Sequence, residues 1–383
     1  MINESRLKKI FEDLVKIDSP SGEEKEVFKW LKSYLEKLGG KVFEDNASEK
    51  VNGNSNNLIA HFNGKRDAAP LFLCAHMDTV EPGRGIEPVF ENGEFKSRGK
   101  TILGADDKSA IAIILEIMNI LREKDFDNCP LDIVFTVCEE SGLKGAKAID
   151  ESLIRADFGY IPDSTDPFGI VAKAPSCCVI RIKITGKSAH AGAEPEKGIN
   201  AIMIAARALS CIESGRIDYE TTCNIGKLNA GKATNIVPDY AVVEAEVRSH
   251  DTEKLDRTVK KIIAAFENAV ENEKKKNGDG VFPFIDIEID EEFPNIDIKE
   301  DEKVIALGKQ AAYNLGFDLE LKEVGGGSDA NVFFKKGIKA GVIGTGMKNI
   351  HTEDENIALQ DMVACARFLY EIIDIHSQGK SGC

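Results

Sequence analysis

The stretch Pro70-Leu71-Phe72-Leu73-Cys74-Ala75-His76-Met77-Asp78 decides the fold. From Pro70 to Ala75 the residues are apolar without alternation. A short unbroken run of this kind reads as a strand buried on both faces, as the centre of a parallel sheet requires. At its end His76 and Asp78 stand two apart, so on a continued strand both side chains point to one side. A ligating imidazole commonly gives its second N–H to a carboxylate, which fixes the tautomer, and Asp78 suits that role toward His76.

Working outward, helices alternate with strands. Residues 4–38 read as two helices, interrupted at Ser19-Pro20-Ser21-Gly22-Glu23-Glu24. Strands are expected at 57–60 and 131–137, with a long apolar helix over 107–123 between the central strand and the second of these. From about 178 the pattern becomes strand (178–186), helix (196–213), strand (221–227), strand (240–250), helix (252–274), strand (281–291). That β-α-β-β-α-β order is the ferredoxin-like signature. A helix at 304–316 and a strand at 339–343 then resume the first pattern. The predicted fold is α/β, a mixed, largely parallel sheet flanked by helices, with a ferredoxin-like α+β domain inserted. Its expected boundaries are 1–176 with 292–383 for the discontinuous main domain and 177–291 for the insert. Only Ser377 to Cys383 look frayed.

Composition narrows the function classes. A net charge of −16 over 383 residues, with no basic cluster beyond Glu273-Lys274-Lys275-Lys276, argues against nucleic acid as a partner. The nine cysteines are odd in number and form no C-x-x-C; several sit in apolar runs as small hydrophobes, which points to a reducing compartment. With no run of 18 apolar residues and no apolar segment in Met-Ile-Asn-Glu-Ser-Arg-Leu, a soluble, cytoplasmic protein without membrane contact is expected.

Further ligand-type residues follow predicted strands or precede helices. Gly104-Ala105-Asp106-Asp107-Lys108 opens the apolar helix, with Asp106 free to bridge two metals and Asp107 to cap the first turn. Glu139-Glu140 follows the 131–137 strand. Adjacent carboxylates repel unless one binds a cation and the other holds a proton or a water. Asp163, in Tyr160-Ile161-Pro162-Asp163-Ser164, and His351, after Gly346-Met347-Lys348-Asn349-Ile350, each stand in a predicted loop. Three carboxylates (Asp106, Glu140, Asp163) and two neutral imidazoles (His76, His351) carry about −3, which two divalent ions and a hydroxide nearly neutralise. Glu139 is then the natural general base for the bridging water. Each motif alone is bland: a surface hydrogen bond, a solvated acidic pair, a helix cap. Convergence at the carboxyl edge of one sheet favours the metal reading.

These motifs resemble peptidase T and its relatives, among the dinuclear-zinc exopeptidases that include carboxypeptidase G and acetylornithine deacetylase. The resemblance rests on Ala-His-Met-Asp-Thr-Val at 75–80, Gly-Ala-Asp-Asp-Lys at 104–108, Cys-Glu-Glu-Ser-Gly-Leu-Lys-Gly-Ala at 138–146, Gly-Lys-Ser-Ala-His-Ala-Gly at 186–192 and His-Thr-x-x-Glu from His351, spanning nearly the whole chain in order. It implies a zinc-exopeptidase-type main domain and two divalent ions, zinc first, with cobalt or manganese as alternatives. His76, Asp106 and Asp163 would hold one ion, and Asp106, Glu140 and His351 the other. It further implies a cis peptide after Asp106 and a homodimer through the inserted lid domain, whose His190 stabilises the oxyanion.

For substrate, Asn235 offers an amide to a peptide backbone, and Arg248 a planar fork for a terminal carboxylate. The alternative for Arg248 is an ion pair with Glu246 or Asp251. Gly325-Gly326-Gly327-Ser328-Asp329 resembles a Gly-Gly-(Ser/Thr)-Asp stretch of peptidase T relatives, so Gly326 and Ser328 are expected near substrate. His61, His250 and His376 are read as structural. The expected activity is hydrolysis of short peptides, releasing the N-terminal residue from di- or tripeptides; the rival is a deacylase of N-acyl amino acids using the same site.

Overall fold

The computed structural model describes residues 1–277 and 282–379. The chain packs as two compact units. One comprises Met1–Lys173, Asp297–Val324 and the chain from Ser328; the other comprises Ala174–Ile296 with Gly325–Gly327.

The first unit is built on a mixed sheet. Strands Leu131–Thr136, Leu71–His76, Phe158–Ser164 and Lys339–Gly344 lie side by side in that order, all parallel. Leu58–Phe62 adds antiparallel on one side and Gly169–Ala174 on the other. Every residue of Leu71–His76 and of Leu131–Thr136 is buried, which is why these stretches carry no polar alternation. Helix Ala105–Glu123 packs on the Leu71–His76 strand, with helices Glu4–Val15 and Leu359–Ser377 against it. Phe72 meets Phe333 edge-on, 4.8 Å between ring centroids. The Gly159 backbone passes so close to Phe72 that a Cβ would sit 1.9 Å from its carbonyl oxygen, so no other residue fits there.

Three expectations need correction. Tyr160–Ser164 is no loop but the end of the Phe158–Ser164 strand. Pro162 lacks a ladder donor and is tolerated because pairing with Leu71–His76 reaches only Tyr160. Ser377 is not frayed: it ends the Leu359–Ser377 helix, and its hydroxyl accepts the Cys129 N–H at 2.7 Å. Cys383 and its neighbours from 380 on lie outside the described residues. A small antiparallel sheet of Pro88–Glu91, Glu94–Ser97, Asn356–Ala358 and Met347–Lys348 was not anticipated, since strands this short carry too few positions to show a period.

The second unit runs Ser176–Thr185, helix Ala201–Leu209, Thr221–Ala230, Tyr240–Ser249, helix Thr252–Asn277 and Phe284–Phe293. Its four long strands are antiparallel, in the order Thr221–Ala230, Tyr240–Ser249, Ser176–Thr185, Phe284–Phe293. Burial alternates strictly along Tyr240–Ser249, and one face packs Ile180, Ile182 and Ile184 against Ile204, Ile262 and Phe266 of the two helices. The first helix is shorter than 196–213 because Pro195–Lys197 forms a separate turn and Asn200 caps the helix, accepting the Met203 N–H at 3.1 Å. Residue 281, where the last strand was expected to begin, lies outside the described residues. No helix among the described residues is long and apolar enough to cross a membrane.

Candidate metal centre

The four parallel strands end on the same side, and each delivers a donor there. His76 is the last residue of its strand, and Asp163 the last but one of its own. Glu140 follows Leu131–Thr136, and His351 follows Lys339–Gly344. Asp106 comes from the start of the Ala105–Glu123 helix, where Asp106 and Asp107 depart from helical geometry and the peptide between them is cis.

Asp106 lies at the middle of the cluster. Its Oδ1 is 3.1 Å from His76 Nε2 and its Oδ2 is 3.2 Å from His351 Nε2, so one carboxylate faces both imidazoles. His351 Nε2 is also 3.0 Å from Glu140 Oε1. Donor atoms of His76, Asp106 and Glu140 lie within 4.8 Å of one another, as do those of His76, Asp107 and Asp163. Imidazole nitrogen and carboxylate oxygen are the donors zinc and similar divalent ions take. Bonds of about 2.1 Å in a tetrahedron put donors about 3.4 Å apart, near the separations seen here. The residues fit a divalent metal.

Electrostatics point the same way. Burial alone would lower the His76 pKa, yet hydrogen bonds to Asp106 and Asp78 carry it well above the usual imidazole value. Contacts with Asp106 and then Glu140 lift His351 to about 10. Burial, with Asp106 and Glu140 adding negative charge, pushes the Asp163 carboxyl up. Glu139, 9% exposed, is likewise pushed well above the ordinary carboxyl range by burial.

Buried carboxylates fix the surrounding backbone. Asp78 accepts the N–H of Glu139 at 2.9 Å, the N–H of Glu140 at 3.2 Å and the Ser21 hydroxyl at 2.5 Å. His76 Nδ1 lies 2.9 Å from the Asp78 carbonyl oxygen and 3.5 Å from its carboxylate. Asp78 therefore holds both the imidazole and the turn that carries the two glutamates. Cys138, at φ 53°, adopts a left-handed backbone immediately before that turn; Glu24, wholly buried, accepts its N–H at 3.0 Å. Asp107 does not cap the helix as expected. Its Oδ2 accepts the His76 N–H at 3.3 Å, while its Oδ1 is buried without a hydrogen bond. Glu355 escaped sequence reading because its partners are distant backbone N–H groups, although it stands in a motif noted above; Glu24, also missed, accepts the nearby Gly22 N–H as well as the distant Cys138 N–H.

The other candidates are placed as follows. His190 Nδ1 accepts the N–H of Gly192 and of Ala193, each at 3.1 Å, so in the neutral ring the proton sits on Nε2, free to be donated. Asn235 is exposed beside it, its carbonyl accepting the Ala191 N–H at 3.0 Å. The Arg248 fork is engaged by Glu246 at 2.7 and 3.1 Å, and its remaining nitrogen donates to the Gly325 carbonyl at 3.2 Å. Asp251 is not its partner in those bonds. Gly326 is exposed, with space where a Cβ would be, and the Ser328 N–H donates to Asn331 Oδ1 at 3.0 Å at the start of helix Asp329–Lys335.

Comparison with known proteins agrees with this geometry. A protein from Bacillus subtilis named uncharacterized protein YqjE is 41% identical over 375 residues, covering 98% of this chain and 99% of that protein. Peptidase T of Fusobacterium nucleatum is 27% identical, covering 92% and 91%. Among solved structures, a tripeptidase from Staphylococcus aureus matches with a TM-score of 0.90 and 38% identity, covering 99% of this chain and all of that one. An aminopeptidase PepT from Bacillus cereus matches with a TM-score of 0.88 at 38% identity, with the same coverage. The model of Peptidase family M20/M25/M40 matches residues 72–375, from the central strand through the last helix. Strand tips, donors and likeness lead to one conclusion: the chain belongs to peptidase family M20/M25/M40 and is a metal-dependent hydrolase.

Proposed function

We propose that this protein is a dinuclear metallopeptidase that hydrolyses di- and tripeptides, releasing the N-terminal residue. The observation that carries the two-metal reading is Asp106, whose two oxygens face different imidazoles at 3.1 and 3.2 Å. His76, Asp106 and Asp163 are assigned to one ion, and Asp106, Glu140 and His351 to the other. Zinc is the first choice of metal, with cobalt or manganese as alternatives. Such ions supply Lewis acidity to the scissile carbonyl and render water reactive near neutral pH.

The chain's own residues do the rest. Glu139 takes a proton from the attacking water and delivers it to the leaving amine; a carboxyl raised by burial is suited to hold that proton between the two steps. Asp78 keeps Glu139 in place through its backbone N–H. His190 Nε2–H is the proposed donor to the tetrahedral oxyanion. Arg248, Asn235, Gly326 and Ser328 are assigned to substrate. Because Glu246 already neutralises Arg248, its carboxylate-binding role requires that pair to open or to be shared. The bounds 1–176 with 292–383 and 177–291 are retained as the proposed catalytic and lid domains. A homodimer through the lid is supported by the exposed Ile202, Met203 and Leu228 of the second unit. A reducing, cytoplasmic setting is supported by the unpaired thiols of all the described cysteines.

The deacylase reading is weaker, since both solved neighbours at 38% identity bear peptidase names. A panel of di- and tripeptides beside acetylated amino acids decides it: preference for the acetylated compounds would reverse the assignment. Glu139→Gln should keep its metals and lose turnover by about 10²–10⁴-fold. A near-normal rate in that variant would mean the base lies elsewhere.

A further inference from the structure

Glu355 has no role in the reading above, yet it is 1% exposed and carries a carboxylate. Its Oε2 accepts the N–H groups of Leu103 and Gly104, each at 2.7 Å, and its Oε1 accepts the Asp106 N–H at 3.0 Å. The helix that follows begins after Gly104, which has no side chain to offer, so these donors would otherwise be orphaned. A negative charge is also favoured at that helix end. Glu355's own loop is drawn tight by its N–H to the Thr352 carbonyl at 3.1 Å, and that loop begins at His351. One buried side chain thus ties the segment ending in Asp106 to the loop starting with His351, the two residues whose side chains meet at 3.2 Å.

We propose that Glu355 is a positioning residue that sets the separation of Asp106 and His351, and through it the affinity of the site for its metals. The proposal rests on the assignment of Asp106 and His351 as metal donors. A buried carboxylate elsewhere in the unit provides the contrast. Glu116, ten residues along the same helix from Asp106, accepts the Asn3 N–H at 2.8 Å and the Arg6 guanidinium at 2.5 and 2.9 Å, which pins one helix on another and bonds neither the Asp106 backbone nor the His351 loop.

Glu355→Gln preserves shape but turns an amide N–H₂ toward one set of the backbone donors. The full chain loaded with Zn²⁺ is challenged with a graded series of chelator, and retained Zn²⁺ is read beside the thermal midpoint. Glu355→Gln should release Zn²⁺ at about 10–100-fold lower chelator strength, the range typical of groups that orient metal ligands. Glu116→Gln should lower the thermal midpoint yet hold Zn²⁺ within about two-fold of the unchanged protein, as a group that orients no ligand. Equal retention by Glu355→Gln and the unchanged chain overturns the proposal, as does an equal loss in Glu116→Gln. His351→Ala separates the two levels. Undiminished Zn²⁺ retention there sinks the donor assignment itself, whereas loss there with none in Glu355→Gln sinks only the positioning role. If Glu355→Gln does not fold, Glu355→Asp, which keeps the charge and draws it back by one methylene, carries the test, and undiminished retention again overturns the proposal.

Discussion

The two units solve the same problem, hiding a sheet, in opposite ways. In the first, Leu71–His76 and Leu131–Thr136 are buried at every position. In the second, Tyr240–Ser249 alternates buried and half-buried residues along its whole length. Parallel strands flanked by helices leave no wet face, whereas an antiparallel sheet packed on one side keeps the other in water. The difference decides where chemistry is possible. At the tips of the enclosed sheet, burial sets carboxylates such as Asp163 far from their values in water. The alternating sheet carries its charges as surface pairs, such as Arg181 with Glu244 at 2.9 Å.

That contrast can be broken by substitution. Phe72→Ala should cost about 3–5 kcal/mol and its neighbour Leu73→Ala about 2–5 kcal/mol, because adjacent residues of this strand are both in the core. Denaturant unfolding of the two variants measures it, and a near-neutral result for either would mean the strand has a solvent face. Metal should act on the first unit alone. At a hundred-fold excess over its dissociation constant, Zn²⁺ should stabilise that unit by about 2.7 kcal/mol and leave the second unit's transition unmoved.

The metal-free protein sharpens the same point through pH. His351 is raised to about 10 from an ordinary value of 6.5, so its contribution is complete below pH 6.5 and is lost as pH climbs toward 10. Thermal midpoints of the stripped protein should therefore fall through that window. If His351 is a metal donor, as proposed, metal would take the proton's place there and should flatten the fall; a slope identical with and without metal would remove His351 from the site. The smallest effect belongs to the wet face: Lys183→Ala, which breaks only exposed pairs with Glu288 and Asp286, should change stability by no more than about 0.5 kcal/mol.

The same contrast explains what could be read in advance. The unbroken apolar run before His76 marked the central enclosed strand, and the β-α-β-β-α-β order from 178 to 291 marked the inserted domain. Asp163 was placed in a loop but lies in the Phe158–Ser164 strand, whose pairing with Leu71–His76 stops at Tyr160, short of the donorless Pro162. Asp107 looked like a cap, whereas its carboxylate bonds the His76 N–H. Glu355 could not be read because a residue that serves remote peptide groups leaves no local pattern.

The order of the strand tips along the chain has a consequence for biosynthesis. His76, Asp106, Glu140 and Asp163 precede the Ala174–Ile296 segment, while His351 and Glu355 follow it. A chain still being made therefore exposes an acidic, half-built pocket for the whole time the second unit is emerging and folding. His351 joins the cluster only after the second unit has been made. On the donor assignment proposed above, chains that stop before His351 should hold metal poorly.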